Sequence, residues 1–427
     1  MHKKKVKATN LSLISWALYD AGSSAFATLI QTFLFAAYFT RAVAPSEIEG
    51  SSAWGFSLGV AGVIIAVGGP ILGAIADHKG DRKGWLFIFY LLSFFAIACM
   101  WFVKPNPAYM TLGLILIALS TIGSEFAYIF YSAMLPALTS KKNVGTWSGI
   151  GWGTGYLGGM ICLILALLAF LNDQNSWFHL DPLDAAPERA AFLLAAIWYG
   201  LFAIPLFIFT PNQSTAPQTF SKAIQLGFKQ LKNSIVNIRH YRHLFWFLFS
   251  RMIFTDGLTT LFLFGGVYAA GAFDMSSHDV LLFGVALNIT AGIGAFAFAW
   301  LDDMIGSKPV ILISLVCLTL CTIGMLLSQT LTEFWISGLT LGAFVGPLQS
   351  SCRALLAKVT PPDKINQMFG LLTFSGKATG FMGPFFVSLI TYWTASQRWG
   401  IAVIIPFFVV GLLMMLKVPS EKNFERL

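Results

Sequence analysis

Long apolar runs, each bounded by a short polar stretch, dominate this chain from residue 12 to residue 417. Most are roughly 18 to 28 residues long, and about 20 residues suffice to cross the hydrocarbon core of a bilayer as a helix. Helices are favoured because a membrane offers no water to the polar groups of the backbone. The pattern therefore predicts an all-α polytopic membrane protein with twelve transmembrane helices. The predicted spans are 12–40, 52–76, 85–103, 109–137, 144–171, 189–210, 244–272, 279–301, 309–328, 331–358, 366–391 and 397–417.

A polar link separates two sets of six spans. The position of this link predicts an N-terminal half at 1–210, a linker at 211–243 and a C-terminal half at 244–427. The link opens with a proline-containing turn cluster, which ends the preceding helix. Apolar residues then recur at helical spacing within 224–238, with lysines between them. This spacing predicts an amphipathic helix that lies on the membrane surface, and a solvated basic linker is the alternative.

A charge-rich turn between the second and third spans recurs once in the second half. In the first copy, Asp77 precedes a glycine, Arg82 and Lys83. In the second copy, 226 residues later, Asp303 precedes a glycine and Lys308 at matching spacing. Two copies of one turn indicate two related halves. We expect these charged residues to form a gate, in which Asp77 binds the positive N-terminal end of a neighbouring helix. A signal for topology alone is the alternative.

Two further features repeat between the halves. Asp20 in the first span and Asp256 in the seventh each stand close before a glycine. Glycines of the fifth span recur at the same spacing in the eleventh. These glycines are Gly149, Gly155 and Gly159, and Gly370, Gly376 and Gly380. Because small residues let helices approach closely, we expect both spans to pack tightly, or slide, against the opposite half.

The composition and the distribution of charge fit this class. Hydrophobic residues make up 56% of the 427 residues and charged residues 11%, whereas about a quarter of a soluble chain is charged. Of the 27 lysines and arginines, 20 fall on the side that carries both termini and four on the other. The positive-inside rule therefore predicts that both termini, the linker and the two charge-rich turns are cytoplasmic. The scattered basic residues argue against a nucleic-acid partner, and we expect a monomer in a bacterial inner membrane.

Six charged residues lie at membrane depth, where each charge costs about 2.5–3.5 kcal/mol to insert. Four of them are candidates for binding or coupling. Glu125 is expected to carry a coupling proton, since burial raises the pKa of a carboxyl group. Lys377 is expected to bind an anionic group of the solute. For both, a static ion pair is the alternative. Asp20 and Asp256 are expected to line a polar site between the halves, with Asp20 also a proton carrier; hydrogen bonding between helices is the alternative.

The other two charges within the spans are Arg251 and Arg353, which we expect either to snorkel towards the interface or to belong to the gate. Aromatic residues near the candidate charges include Tyr19, Tyr131 and Trp152. We expect these three to line a substrate pocket, and helix packing is the alternative. Acids and bases in both halves suit a zwitterion, either an amino acid or a small peptide.

Motifs of other function classes carry little weight. The glycines of 153–158 match a dinucleotide fingerprint, but they lie inside a span rather than after a strand. Cys317 and Cys321 share a helix face, but no histidine in a span completes a metal site. We therefore expect neither a metal nor a cofactor, and no catalytic residues.

Several short motifs are spread over nearly the whole chain. They are Trp16-Ala-Leu-Tyr-Asp20 with Ser24-Ala-Phe26, Phe130-Tyr-Ser-Ala-Met-Leu-Pro136, Gly151-Trp-Gly-Thr-Gly-Tyr-Leu-Gly-Gly159, Asp256-Gly257, Trp300-Leu-Asp-Asp303 with Gly306-Ser-Lys308, Ser375-Gly-Lys377-Ala-Thr379 and Gly383-Pro384. Together they resemble the major facilitator superfamily, and within it the autophagy-related vacuolar amino-acid efflux permease family and its bacterial relatives. After the aspartate of the first span this family usually has Trp-Ala-Asn, where this chain has Ala21-Gly22-Ser23. The family also usually has Tyr-Asn-Ala-x-Leu-Pro, where Ser132 replaces the Asn.

The resemblance implies a secondary transporter of two six-helix halves that works by alternating access around a site near the midplane. It also implies a neutral amino acid as the solute, and we expect proton coupling. A carrier of another ligand, such as a peptide, a siderophore or a lipid-linked molecule, is one alternative. A transporter-like receptor without flux is the other.

Overall fold

The computed structural model of the protein describes residues 9–172, 176–212, 218–236 and 242–421. The basic N-terminal tail, parts of the linker and the end of the C-terminal tail lie outside these ranges. Within them the chain is almost entirely helical and contains no strand. The helices are α1 (Asn10–Val43), α2 (Glu47–Lys79), α3 (Arg82–Phe102), α4 (Pro107–Leu138), α5 (Lys141–Leu171), α6 (Leu183–Phe209), α7 (Phe220–Val236), α8 (Arg242–Phe273), α9 (Ser277–Ala297), α10 (Ala299–Ile305), α11 (Ser307–Leu327), α12 (Leu331–Val359), α13 (Ile365–Lys377), α14 (Met382–Thr394) and α15 (Gln397–Leu416).

Eleven helices within the described residues are long and apolar enough to cross a membrane. They overlap eleven of the twelve predicted spans, so the all-α polytopic fold is confirmed. We call helices α1–α6 the N-terminal half and helices α8–α15 the C-terminal half. The face that carries the start of α1 and the end of α15 is called the terminal face.

The eleventh predicted span, 366–391, is not one helix. It consists of α13 and α14, with a turn at 378–381 between them. Pro384 explains the interruption, because a proline has no N–H to donate to the carbonyl four residues earlier, which is that of Gly380. Proline is tolerated in the first turn of a new helix, where α14 places it. The span therefore contains a break directly after Lys377.

Close contacts join the two halves at two glycines of the predicted repeat. A Cβ atom added to Gly370 of α13 would lie 2.3 Å from the carbonyl oxygen of Gly69 in α2. A Cβ added to Gly149 of α5 would lie 2.5 Å from the Cβ of Ala299 in α10. Both contacts therefore require glycine, and each crosses from one half to the other. Helix α13 packs more extensively against α2 of the opposite half than against any helix of its own half.

The linker contains the helix α7, which begins at Phe220 and packs on α2. The backbone of Ile75 comes so close to Gly227 that an added Cβ would lie 2.9 Å from its nitrogen. Lys222, Lys229 and Lys232 of this helix are exposed. The helix is thus held against the bundle on one side and presents its basic residues on the other.

We predict that Gly370→Ala favours opening of the terminal face. The added methyl group collides with the backbone of α2, and overpacking of this kind costs about 1–3 kcal/mol. The closed population should fall by roughly 5- to 150-fold relative to the open one. Gly380→Ala is the matched control, because the nearest atom to its added Cβ is 3.8 Å away.

Distances between spin labels measure this effect. Labels at Lys142→Cys and Asp363→Cys, both exposed on the terminal face, report on one half each in a background without native cysteines. Longer distances in Gly370→Ala than in Gly380→Ala are expected. Identical distributions in the two variants would contradict the prediction.

Candidate functional site

Asp77 binds the N-terminus of a helix from the opposite half. Its Oδ1 accepts hydrogen bonds from the backbone N–H (3.0 Å) and the side-chain amide (2.8 Å) of Asn366. Its Oδ2 accepts from the backbone N–H of Gln367 (3.0 Å) and from Gln230 of α7 (3.3 Å). The first N–H groups of a helix have no partner within the helix, and its dipole favours an anion there. The carboxylate of α2 therefore caps α13, in the geometry expected from the sequence; its gating role stays a prediction.

Asp303 makes the equivalent contact in the other direction. Its two carboxylate oxygens accept from the backbone N–H groups of Gly145 (2.8 Å) and Thr146 (2.7 Å) in α5. Lys141–Asn143 form a 3₁₀ turn, and the regular α-helix of α5 begins at Val144. The donors are therefore the second and third residues of that helix, as they are in the helix that Asp77 caps. Each half thus caps one helix of the other. We call these two contacts the latches.

The remaining charges of the two turns act mainly within their own halves. Lys83 donates to the carbonyl of Thr210 at the end of α6 (2.9 Å), and Lys308 donates to the carbonyls of Leu416 and Val418 at the end of α15. These are favourable positions for cations, because the carbonyl end of a helix is negative. Arg82 differs, since its guanidinium reaches the carbonyl of Pro362 in the opposite half at 3.4 Å.

Lys358 stands at the centre of a cluster of acids beside the second latch. Its Nζ lies 2.7 Å from Asp302, 3.3 Å from Asp303 and 3.6 Å from Glu421. Its side chain is only 7% exposed. A buried lysine needs such partners, because an unpaired charge in the interior is costly. Lys358 therefore holds Asp303 in place beside the N-terminus of α5.

Asp20 and Arg353 form a buried ion pair between the halves. The Nη1 of Arg353 lies 3.1 Å from the Oδ2 of Asp20, and Tyr131 donates to the same oxygen at 3.1 Å. The Nε of Arg353 donates to the hydroxyl of Ser148 and its Nη2 to the carbonyl of that residue. The expectation that Arg353 snorkels is wrong, because its side chain is 1% exposed and its donors are engaged inside the bundle.

Aromatic rings enclose this guanidinium. Trp16 stacks on Tyr131 with centroids 4.5 Å apart, and the Cζ of Arg353 lies 4.8 Å from the centre of the Trp16 ring and 5.8 Å from that of Trp152. A cation over an aromatic face is stabilised most where water is excluded. Tyr19 stacks on Tyr131 with centroids 4.9 Å apart, and its hydroxyl bonds to that of Tyr199 in α6. That contact favours packing within the N-terminal half, and a binding role for Tyr19 stays a prediction.

A second ion pair between the halves joins Glu125 of α4 to Lys377 at the end of α13, at 2.8 Å. The side chains are 29% and 36% exposed, so this pair is accessible where the first is not. It stands at the break between α13 and α14. Discontinuous helices of this kind form the solute sites of several transporter folds.

Arg251 and Asp256 of α8 lie on either side of the same break. The Nη1 of Arg251 donates to the carbonyl of Leu372 (2.7 Å) and to the hydroxyl of Ser375 (3.0 Å) near the end of α13. The Oδ1 of Asp256 accepts a long hydrogen bond from the N–H of Gly383 (3.4 Å) in the first turn of α14. The two charges therefore match the dipoles of the helix ends that they face. Their binding and gating roles stay predictions.

Comparison with known proteins assigns the chain to a family. The profile of the family described as vacuole effluxer Atg22 like matches residues 42–426. The chain belongs to the Atg22-like family. The MFS-type transporter YxiO of Bacillus subtilis is 27% identical to it over 428 residues, which cover all of this chain and 98% of YxiO. Autophagy-related protein 22 of Cryptococcus neoformans var. neoformans is 24% identical over 313 residues, 69% of this chain. That match covers 52% of the fungal protein, so the chain spans about half the length of this relative.

Solved structures agree on the fold of this Atg22-like protein. The transporter FucP in its outward conformation aligns with a TM-score of 0.74 at 13% identity, covering 96% of this chain and 98% of FucP. The proton:xylose symporter XylE aligns with a TM-score of 0.71 at 14% identity, covering 96% and 95%. At these identities the likeness concerns the fold alone. The Atg22-like protein is a multi-pass membrane transporter of the major facilitator type, a class that binds small molecules within the membrane.

Three residues of the site escape prediction from the sequence. Lys358 is the last residue of a predicted span, where a basic residue indicates only the topology. Asp302 and Asp303 stand next to each other in the chain, and two neighbouring acids indicate that a cation is required nearby. Ser148 looks like any small residue of a tightly packed span. Gln230 lies in the linker, and nothing in the pattern of α7 indicates that it reaches a latch.

We predict that Asp77→Asn slows transport by roughly tenfold or more while expression and folding are retained. The amide carries no charge, and hydrogen bonds to charged groups contribute about 1.5–3 kcal/mol each. Uptake into proteoliposomes at matched protein content measures the loss. Asp81→Asn is the control, because Asp81 caps α3 within its own turn, accepting from Gly84 N–H. Uptake by Asp77→Asn at the rate of this control would refute the gating role.

Proposed function

We propose that this transporter carries neutral amino acids by alternating access and couples their movement to protons. The observation that supports this best is the accessible ion pair of Glu125 and Lys377. It places a carboxylate of one half and an ammonium group of the other at a helix break. A zwitterion requires both kinds of partner, one for its ammonium group and one for its carboxylate, and a neutral sugar requires neither.

The latches favour a state in which the terminal face is closed. Together with the buried pair of Asp20 and Arg353, they join the halves on the side of that face. If the terminal face is cytoplasmic, as the positive-inside rule predicts, this state is closed to the cytoplasm. Transport then requires the latches and the buried pair to separate as the halves rock about the site. The gate accordingly comprises Asp77, Asp303, Arg82 and Arg353, with Asp20 as the partner of Arg353.

Proton coupling follows from the same pair. Protonation of Glu125 would remove its charge and release Lys377, so the protonation state of one carboxyl group decides whether the halves are held together at the site. Asp20 is a less suitable carrier in the closed state, because its carboxylate is buried in an ion pair with Arg353 and accepts a hydrogen bond from Tyr131. A bacterial inner membrane, suggested by the full-length likeness to YxiO, supplies the proton gradient.

Counterflow in proteoliposomes tests the substrate class. Liposomes loaded with one unlabelled amino acid should accumulate the same labelled amino acid above protein-free liposomes, and Arg353→Gln should abolish the exchange. Exchange of dipeptides with no exchange of any amino acid would replace the proposed substrate by a peptide. Binding without flux over the whole panel would indicate a receptor.

We predict that Glu125→Gln loses accumulation driven by a pH gradient and keeps counterflow. Counterflow needs both conformations but no net proton movement. The neutral amide still accepts a hydrogen bond from the solute's ammonium group, so exchange should persist at a saturating, higher solute concentration. Glu333→Gln is the control, since Glu333 caps the start of α12 by accepting from the N–H groups of Gln329 and Thr330. Gradient-driven accumulation in Glu125→Gln equal to that of Glu333→Gln would exclude Glu125 as the coupling group.

A further inference from the structure

Arg251 is an inward-facing cation without an ion-pair partner among the described residues. Its Nη1 donates to Leu372 and Ser375, both neutral, and its Nε is buried and makes no hydrogen bond. Because removing a guanidinium from water without a counter-charge is costly, this arrangement requires an explanation.

The charges around the helix break do not balance. Glu125 supplies a carboxylate at this break, but it already pairs with Lys377 at 2.8 Å. Asp256 is turned to the first turn of α14, where it accepts from Gly383. The group of Glu125, Lys377 and Arg251 thus contains two cations and one anion. An anionic group would complete it.

The guanidinium packs closely against the backbone at the end of α13. Gly376 has no side chain, and a Cβ added there would lie 3.3 Å from the Nη1 and 3.9 Å from the Nη2 of Arg251. The absence of a side chain at 376 therefore lets the cation lie against this end of α13.

We propose that Arg251, and not Lys377, receives the carboxylate of the transported solute. A guanidinium presents a planar fork that matches a carboxylate with two hydrogen bonds. Lys377 instead occupies the place of the solute's ammonium group on Glu125 while the site is empty. Binding then exchanges one cation for another on Glu125 and supplies an anion to Arg251. Because a zwitterion is neutral, the net charge of the group is unchanged, and the cation left without a partner is Lys377, whose side chain is 36% exposed, instead of the more enclosed Arg251. This assignment rests on the proposed amino-acid transport and specifies how that solute is recognised.

A purely structural role for Arg251 is the competing explanation. A cation near the carbonyl end of α13 stabilises that helix end whether or not a solute binds. A structural role predicts that substitution weakens all ligands alike. The proposal predicts a selective loss for ligands that carry a carboxylate, so a ratio of affinities separates the two.

The test compares amino acids with their carboxamides, which keep the ammonium group and lose the carboxylate. Binding of L-leucine, L-alanine and L-tyrosine, each beside its amide, is measured by calorimetry on the purified full-length protein. The unmodified protein should prefer the acid by roughly 10- to 100-fold. Arg251→Gln should bring this ratio close to one, and Arg251→Lys, which keeps charge but loses the fork, should give an intermediate ratio. Thermal melting verifies that each variant is folded.

Lys377→Gln is the matched variant. It should keep the preference for the acid, because the carboxylate site is intact. Loss of the preference in Lys377→Gln but not in Arg251→Gln would overturn the proposal and assign the carboxylate to Lys377. Equal affinity of the unmodified protein for acid and amide would also overturn it. Binding of neither acid nor amide by the unmodified protein would overturn the proposed amino-acid substrate together with this assignment.

Discussion

The free N–H groups at a helix start need acceptors, and in this protein two helices obtain them from the opposite half. Asp77 supplies the acceptor for α13 and Asp303 the acceptor for α5. Because each carboxylate belongs to the half that it does not cap, the helix ends are satisfied only while the terminal face is closed. Opening that face exposes them to water, which replaces the lost bonds in part. Contacts of this kind suit the gating role that we predict for the latches, because they hold the halves together and can still be replaced.

Helix α13 connects a latch to the candidate site. It has 13 residues, which at about 1.5 Å each give a length of about 20 Å. Asp77 holds its first turn, Lys377 ends it beside Glu125, and most of its contacts are with the opposite half. The break that follows lets α13 and α14 adopt different orientations. A change at the ion pair can therefore reach the latch through a single rigid helix, without requiring α14 to follow.

The sequence predicts the helices well because apolar length alone decides whether a segment can span a bilayer. It predicts the latches because the charge-rich turn is repeated and an acid in such a turn can bind the positive N-terminal end of a neighbouring helix. The sequence is a poorer guide to which glycines contact the opposite half. Gly149 and Gly155 share a motif, but only Gly149 touches the other half, whereas Gly155 packs against α1. The partners of charged residues are harder still. Arg353 and Asp20 are 333 residues apart in the chain, and only the three-dimensional packing shows that they meet.

The two ion pairs between the halves differ in a way that bears on mechanism. The pair of Asp20 and Arg353 is buried, enclosed by aromatic rings and hydrogen-bonded at each guanidinium nitrogen, so removing one member alone is expected to cost about 3–5 kcal/mol. The side chains of Glu125 and Lys377 are 29% and 36% exposed, so this second pair is the less enclosed of the two. In the transport cycle that we propose, a solute competes for the second pair, whereas the first pair separates only when the halves move. Under that proposal binding and conformational change depend on different ion pairs, and the helix break next to Lys377 is the place where the two are connected.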